Sequence, residues 1–118
     1  MYCYDTPDTN ILPEFVPTHE YMQRRCPLEY AKGVPKHKVL VHCTQGVSRS
    51  VSLLAAHLMQ QFKVTLRDAL LFIKWRRSRA APNEGFINQL VKFEKMCFPD
   101  QISSSITYNQ AQKMGMVY

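Results

Sequence analysis

Acidic residues are scarce in this chain: nine Asp and Glu stand against fifteen Lys and Arg, for a net charge of +6. That balance suits an anionic ligand, whether a phosphoprotein, a phosphoinositide head group or an RNA end, without choosing among them. The basic pairs Arg24-Arg25 and Arg76-Arg77 read as solvated helix faces, and no nucleic-acid partner is expected. Metal-binding cysteine patterns are missing. Cys3, Cys26, Cys43 and Cys97 lie far apart with no CxxC spacing, so neither a zinc site nor any other metal site is expected. No apolar run approaches the ~18–20 residues of a membrane span, and no basic-then-apolar signal opens the chain. The default expectation is a reducing compartment, cytoplasm or nucleus. No repeat or linker divides the 118 residues, so one domain is expected, and a hydrophobic content of 46% is enough to give it a core.

What is present is concentrated between Val39 and Ser52, VLVHCTQGVSRSVS. A short apolar run, Lys38 to His42, reads as a buried central strand that delivers Cys43 to the floor of a small polar loop. Thr44, Gln45, Gly46, Val47 and Ser48 fill the loop. It closes on Arg49 and Ser50 at the mouth of a helix. Such a loop turns its backbone N–H groups inward and forms a nest for an anion. The following helix adds the positive end of its dipole. Arg49 supplies a planar fork that matches two phosphate oxygens. A thiol in that setting is expected to ionise well below the ~8.5 of free cysteine, which makes Cys43 a nucleophile aimed at bound phosphate.

His42-Cys43-Thr44-Gln45-Gly46-Val47-Ser48-Arg49-Ser50 resembles the HCxxGxSRS signature of the dual-specificity subgroup of cysteine-dependent protein tyrosine phosphatases. Ala81-Pro82-Asn83-Glu84-Gly85-Phe86-Ile87-Asn88-Gln89-Leu90 resembles the PNxGFxxQL helix start of that family. Asp5-Thr6-Pro7 resembles its general-acid segment. On composition alone Asp5 reads as a turn or cap residue with Asp8 as a rival; the resemblance makes Asp5 the acid. It also implies a partial α/β fold of the protein-tyrosine-phosphatase kind: a central strand, the phosphate-binding loop, then three to four helices. The catalytic domain is expected over residues 1–98, lacking its N-terminal part, with a flexible tail over 99–118.

The rest of the chain reads in order. Asp5 to Asn10 is turn-forming. A helix is expected from Pro17 to Arg25, with a surface loop over residues 25–36. Val51, Leu54, Ala55, Leu58, Met59 and Phe62 have helical spacing, and His57 among them reads as structural. Thr65 reads as the N-cap of a helix from Leu66 to Arg77, with Asp68 in the capping-box position. Trp75 reads as core or rim rather than a stacking platform. Asn83 reads as the N-cap of a last helix striped by Phe86, Leu90, Phe93 and Met96-Cys97.

The resemblance implies a cofactor-free, two-step reaction. Phosphate docks among the N–H groups of Thr44 to Arg49, Cys43 attacks phosphorus, and Asp5 protonates the leaving oxygen. Water then hydrolyses the phosphocysteine, with Asp5 as base and Ser50 easing release of the sulfur. His42 is expected to hold the backbone near Cys43, and Asn83 to brace the loop from beneath. The expected substrate is a phosphorylated protein, at phosphotyrosine and phosphoserine/threonine. Three other readings stand beside it: a phosphate-binding pseudophosphatase without turnover, the same chemistry on phosphoinositide or RNA 5′-phosphate, and the low-molecular-weight class. The neutral Thr44, Gln45 and Val47 argue against the second, and an acid that precedes the cysteine argues against the third.

Overall fold

In a computed structural model, the structure describes residues 6–25, 40–43 and 48–117. A 3-10 turn, Leu12–Glu14, leads directly into α1, Phe15–Arg25. Four further helices follow: α2, Arg49–Phe62; α3, Leu66–Arg76; α4, Glu84–Cys97; and α5, Tyr108–Lys113.

The helices begin and end for local reasons. Pro13 falls at the start of the 3-10 turn and Pro17 in the first turn of α1, where a missing N–H costs nothing, so α1 starts two residues before the expected Pro17. Lys63 ends α2 in the left-handed region, φ 57°, a place usually taken by glycine. The turn this makes lets α3 begin after only Val64 and Thr65. The Thr65 hydroxyl accepts the Asp68 N–H at 3.2 Å, and Asn83 Oδ1 accepts the Phe86 N–H at 2.9 Å, so both helices carry side-chain N-caps.

α2 is the centre of the molecule. Ser50, Val51, Ser52, Leu53, Ala55, Ala56 and Met59 are all buried along it, on several faces, because α1, α3 and α4 pack around it. Phe15 of α1 meets Phe93 of α4 edge to face, with ring centres 5.0 Å apart. Gln60 of α2 donates to the Phe15 carbonyl at 3.2 Å and ties α1 in place.

Three expectations are corrected. Of the expected strand Lys38 to His42, Lys38 and Val39 lie outside the described residues, Leu40, Val41 and His42 carry no regular structure, and no strand occurs among the described residues. A strand exists only as a member of a ladder, and no described residue forms one alongside; Leu40 is accordingly 82% exposed rather than covered on both faces. Trp75 is neither core nor rim: it is 76% exposed, with the Arg76 guanidinium 5.5 Å from its ring centre. Residues 99–117 are packed instead of forming a loose tail. Ile106, Ala111 and Met116 are buried in the core cluster, and Thr107 and Gln110 form a complete capping box for α5. The anchor is Glu94, buried on α4. Its carboxylate accepts from Leu66 N at 2.8 Å, Ser105 N at 3.0 Å and Ser104 Oγ at 3.2 Å, and from the Ser105 hydroxyl. Burial alone would push this carboxyl up; the Ser105, Leu66 and Ser104 donors outweigh it and hold the group below its ordinary range. The expected surface loop over 25–36 lies outside the described residues after Arg25.

Candidate active site

The site forms where the chain enters α2. Cys43 is half-buried, and its Sγ lies 3.4 Å from Ser50 Oγ in the first turn of the helix. At that distance the hydroxyl and the sulfur are hydrogen-bond partners, and either atom can be the donor. Arg49, the first residue of α2, is half-buried beside it.

Ser48 is the N-cap of α2 by position but makes no side-chain cap. Its hydroxyl is turned away from α2 and accepts the Asn83 N–H at 2.8 Å. Its carbonyl accepts both the Ser52 N–H at 2.9 Å and the Ser52 hydroxyl at 2.7 Å. Ser48 is fully buried, so each of these bonds forms away from competing water. The result is a rigid exit from the loop, pinned at once to α2 and to the start of α4. Asn83 touches the loop through its backbone while its side chain caps α4.

The other expected site residues are placed as follows. Asp5 and Thr44, Gln45, Gly46 and Val47 lie outside the described residues. His42 is exposed. It lines, with Cys43, a cleft of about 410 Å³ whose far wall is Val51 and Leu54 of α2 and Phe72 and Ile73 of α3. Beside that apolar wall, Ser50 and the two arginines at the end of α3, Arg76 and Arg77, also line the cleft. Among the described residues no group of three or more His, Cys, Asp or Glu side chains is arranged to hold a metal ion.

Two functional contacts escape a residue-by-residue reading. Gln89 on α4 binds the backbone of the segment just after the acid candidate: its Oε1 accepts from Ile11 N at 2.7 Å and Leu12 N at 2.8 Å, and its Nε2 donates to Thr9 O at 2.8 Å. Gly85, one turn earlier on the same face, lies against Pro7; a Cβ there would come within 2.5 and 2.6 Å of the Pro7 carbonyl carbon and Cα. Both residues are letters of the PNxGFxxQL stretch. Their signal was present, but that stretch marks a helix start and says nothing of what the helix holds.

A cysteine brought to the first turn of a buried helix, touched by the serine of an SRS sequence, defines the class: a phosphate-loop protein of the cysteine-dependent phosphatase kind. The comparisons make this specific. The family model described as the dual specificity phosphatase catalytic domain matches residues 3–96, and the chain belongs to that family. It is similar to protein phosphatase Slingshot of Drosophila melanogaster, 40% identical over 93 residues, which are 79% of this chain and 8% of the relative. It is similar to human dual specificity protein phosphatase 7, 47% identical over 57 residues, 48% of this chain and 14% of the relative. Among solved structures, the human tyrosine phosphatase-like serine/threonine/tyrosine-interacting protein aligns with a TM-score of 0.70 at 33% identity, covering 81% of this chain and 59% of its own. The helices described above are thus arranged as in the dual-specificity phosphatase fold. The chain spans less than half the length of the curated relatives it matches, 42% and 40% for two of them. No helix among the described residues is long and apolar enough to cross a membrane.

Proposed function

We propose that this chain is a protein phosphatase that hydrolyses phosphotyrosine and phosphoserine/threonine through a phosphocysteine intermediate. The observation that carries the reading is the Cys43 Sγ to Ser50 Oγ contact of 3.4 Å at the start of α2, in a chain of this family. Phosphate binds above Cys43 among the N–H groups of Thr44, Gln45, Gly46, Val47 and Ser48 and the guanidinium of Arg49. Because the Ser48 hydroxyl oxygen accepts from the Asn83 N–H instead, it does not compete with the anion for the opening N–H groups of α2.

In the first step the Cys43 thiolate forms a bond to phosphorus as the bond to the leaving oxygen breaks, and Asp5 gives that oxygen its proton. In the second, water attacks phosphorus, loses its proton to the Asp5 carboxylate, and displaces sulfur as a thiolate; Ser50 Oγ–H stabilises the charge that returns to it. Arg49 and the N–H cradle balance the charge on the transferring phosphoryl group, a part played elsewhere by metal ions. Residues 1–98 carry the groups of the reaction, residues 99–117 complete the core they stand on, and phosphorylated signalling proteins are the substrates. A thiolate nucleophile is lost to oxidation, which suits the cytoplasm or nucleus.

The test is hydrolysis of p-nitrophenyl phosphate and of a phosphotyrosine peptide by the 118-residue chain beside Cys43→Ser. Turnover should fall roughly a thousandfold or more in the variant, and acid quench of the parent should trap phosphate on Cys43. A folded parent without turnover, or a Cys43→Ser chain that keeps it, overturns the proposal.

A further inference from the structure

We propose that Gln89, with Gly85, is the positioning element of the general acid: the first two turns of α4 anchor residues 7–12, the segment that directly follows Asp5 in the chain. This rests on the reading of Asp5 as the acid given above.

The segment after Asp5 is fastened at two points. Pro7, two residues along the chain, packs its carbonyl against Gly85, where no side chain fits. Thr9, Ile11 and Leu12 are bound by the one side chain of Gln89 through three hydrogen bonds of 2.7 to 2.8 Å. Gly85 and Gln89 are four residues apart, so both face the same way on α4. Around Pro7 the segment closes on itself: Thr9 N donates to Thr6 O at 3.1 Å, and the two threonine hydroxyls are 2.6 Å apart. Gln89 also does a job the segment cannot do alone. Ile11 precedes the 3-10 turn Leu12–Glu14 and its side chain offers no cap, so the Ile11 and Leu12 N–H groups find their acceptor on α4.

The other end of the same helix turn is joined to the nucleophile's loop, through Asn83 N to Ser48 Oγ. Within seven residues, Asn83 to Gln89, one helix start therefore touches both the segment that follows Asp5 and Ser48, where the chain leaves the nucleophile's loop. Proton donation to a leaving oxygen depends on placement within about an ångström, whereas phosphate affinity depends on the loop and Arg49. Loss of Gln89 should thus weaken acid catalysis and leave anion binding alone.

The experiment compares kcat on phenyl phosphate, a poor leaving group, and on a 6,8-difluoro-4-methylumbelliferyl phosphate, a good one. The chains compared are the full-length parent, Gln89→Ala, Gln89→Glu, Gly85→Ala and Asp5→Asn, with inhibition by inorganic phosphate as the measure of binding. Gln89→Ala should lose about tenfold on phenyl phosphate and less than about threefold on the good substrate, with phosphate inhibition unchanged. Gln89→Glu, which keeps the two acceptor bonds, should recover part of the loss. Combined with Asp5→Asn, Gln89→Ala should add nothing on phenyl phosphate. Amide hydrogen exchange reads the clamp without turnover: Gln89→Ala should speed exchange at Ile11 and Leu12 and leave Arg49 to Phe62 protected. Equal losses on both substrates, or unchanged exchange at Ile11 and Leu12, overturn the proposal. If Asp5→Asn shows no leaving-group dependence, the acid assignment fails instead. If Gln89→Ala does not fold, Gln89→Glu and Gly85→Ala carry the same comparison.

Discussion

His19 on α1 and His57 on α2 meet with their Nδ1 atoms 2.9 Å apart, so one ring donates and the other must be neutral to accept. Burial lowers the pKa of both; Lys63 adds to this at His19, with Glu20 partly offsetting it, and His19 itself adds to it at His57. In the unfolded chain each returns to its ordinary value near 6.5 and binds more protons than in the fold. The stabilising effect is therefore whole above about pH 6.5 and shrinks as pH falls through and below it, until the folded groups also protonate. Thermal unfolding of the parent should shift down on acidification from pH 7 to 5, and His57→Gln should flatten that limb; an equally steep limb in the variant contradicts the account. Sequence gave His57 its structural character but not its partner, which is 38 residues away. For Gln89 and Glu94 the sequence showed neither the structural part they play nor the distant backbone they bind. A long polar side chain on a helix looks alike whether it faces water or ties down a distant backbone.

At the scale of the elements, legibility follows how local the stabilising physics is. α2, α3 and α4 were readable because spacing and caps sit within a few residues: Thr65 before Asp68, Asn83 before Phe86. Residues 40–42 were not, since an apolar run cannot say whether a neighbouring strand is there to pair with it. α5 was missed for a related reason. Six residues long, it is too short to persist by its own propensity, and its hold on the rest comes through Glu94 and the buried Ile106, Ala111 and Met116. Removing residues 99–118 should thus behave as a core lesion. It strips the serine donors from a buried carboxylate, at a cost of about 2–4 kcal/mol before lost apolar contact is counted. The unfolding temperature should fall by about 10 °C or more; a truncated chain as stable as the parent would mean that this segment is an appendage after all.

For the molecule as a whole, the notable property is how much apolar surface faces water. Leu40, Phe62, Phe72, Trp75 and Met96 are all exposed. Phe72 belongs both to the cleft beside Cys43 and to a groove of about 510 Å³ walled by Leu58, Phe62, Val64 and Ala69. Grooves of this composition take up apolar dyes in the native state. The folded chain at neutral pH should bind anilinonaphthalene sulfonate, and Phe72→Ser with Trp75→Ser should reduce the fluorescence severalfold without loss of helical circular dichroism; unchanged fluorescence would place the dye elsewhere. A different kind of consequence attaches to Gly85. Where Pro7 rests, the helix surface is bare backbone, so this position is closed to every side chain, while Glu84 and Asn88 on either side stand exposed. Any library of variants of this chain inherits that contrast: free exchange at two neighbours, and between them a single site that admits no alternative without unseating the segment above it.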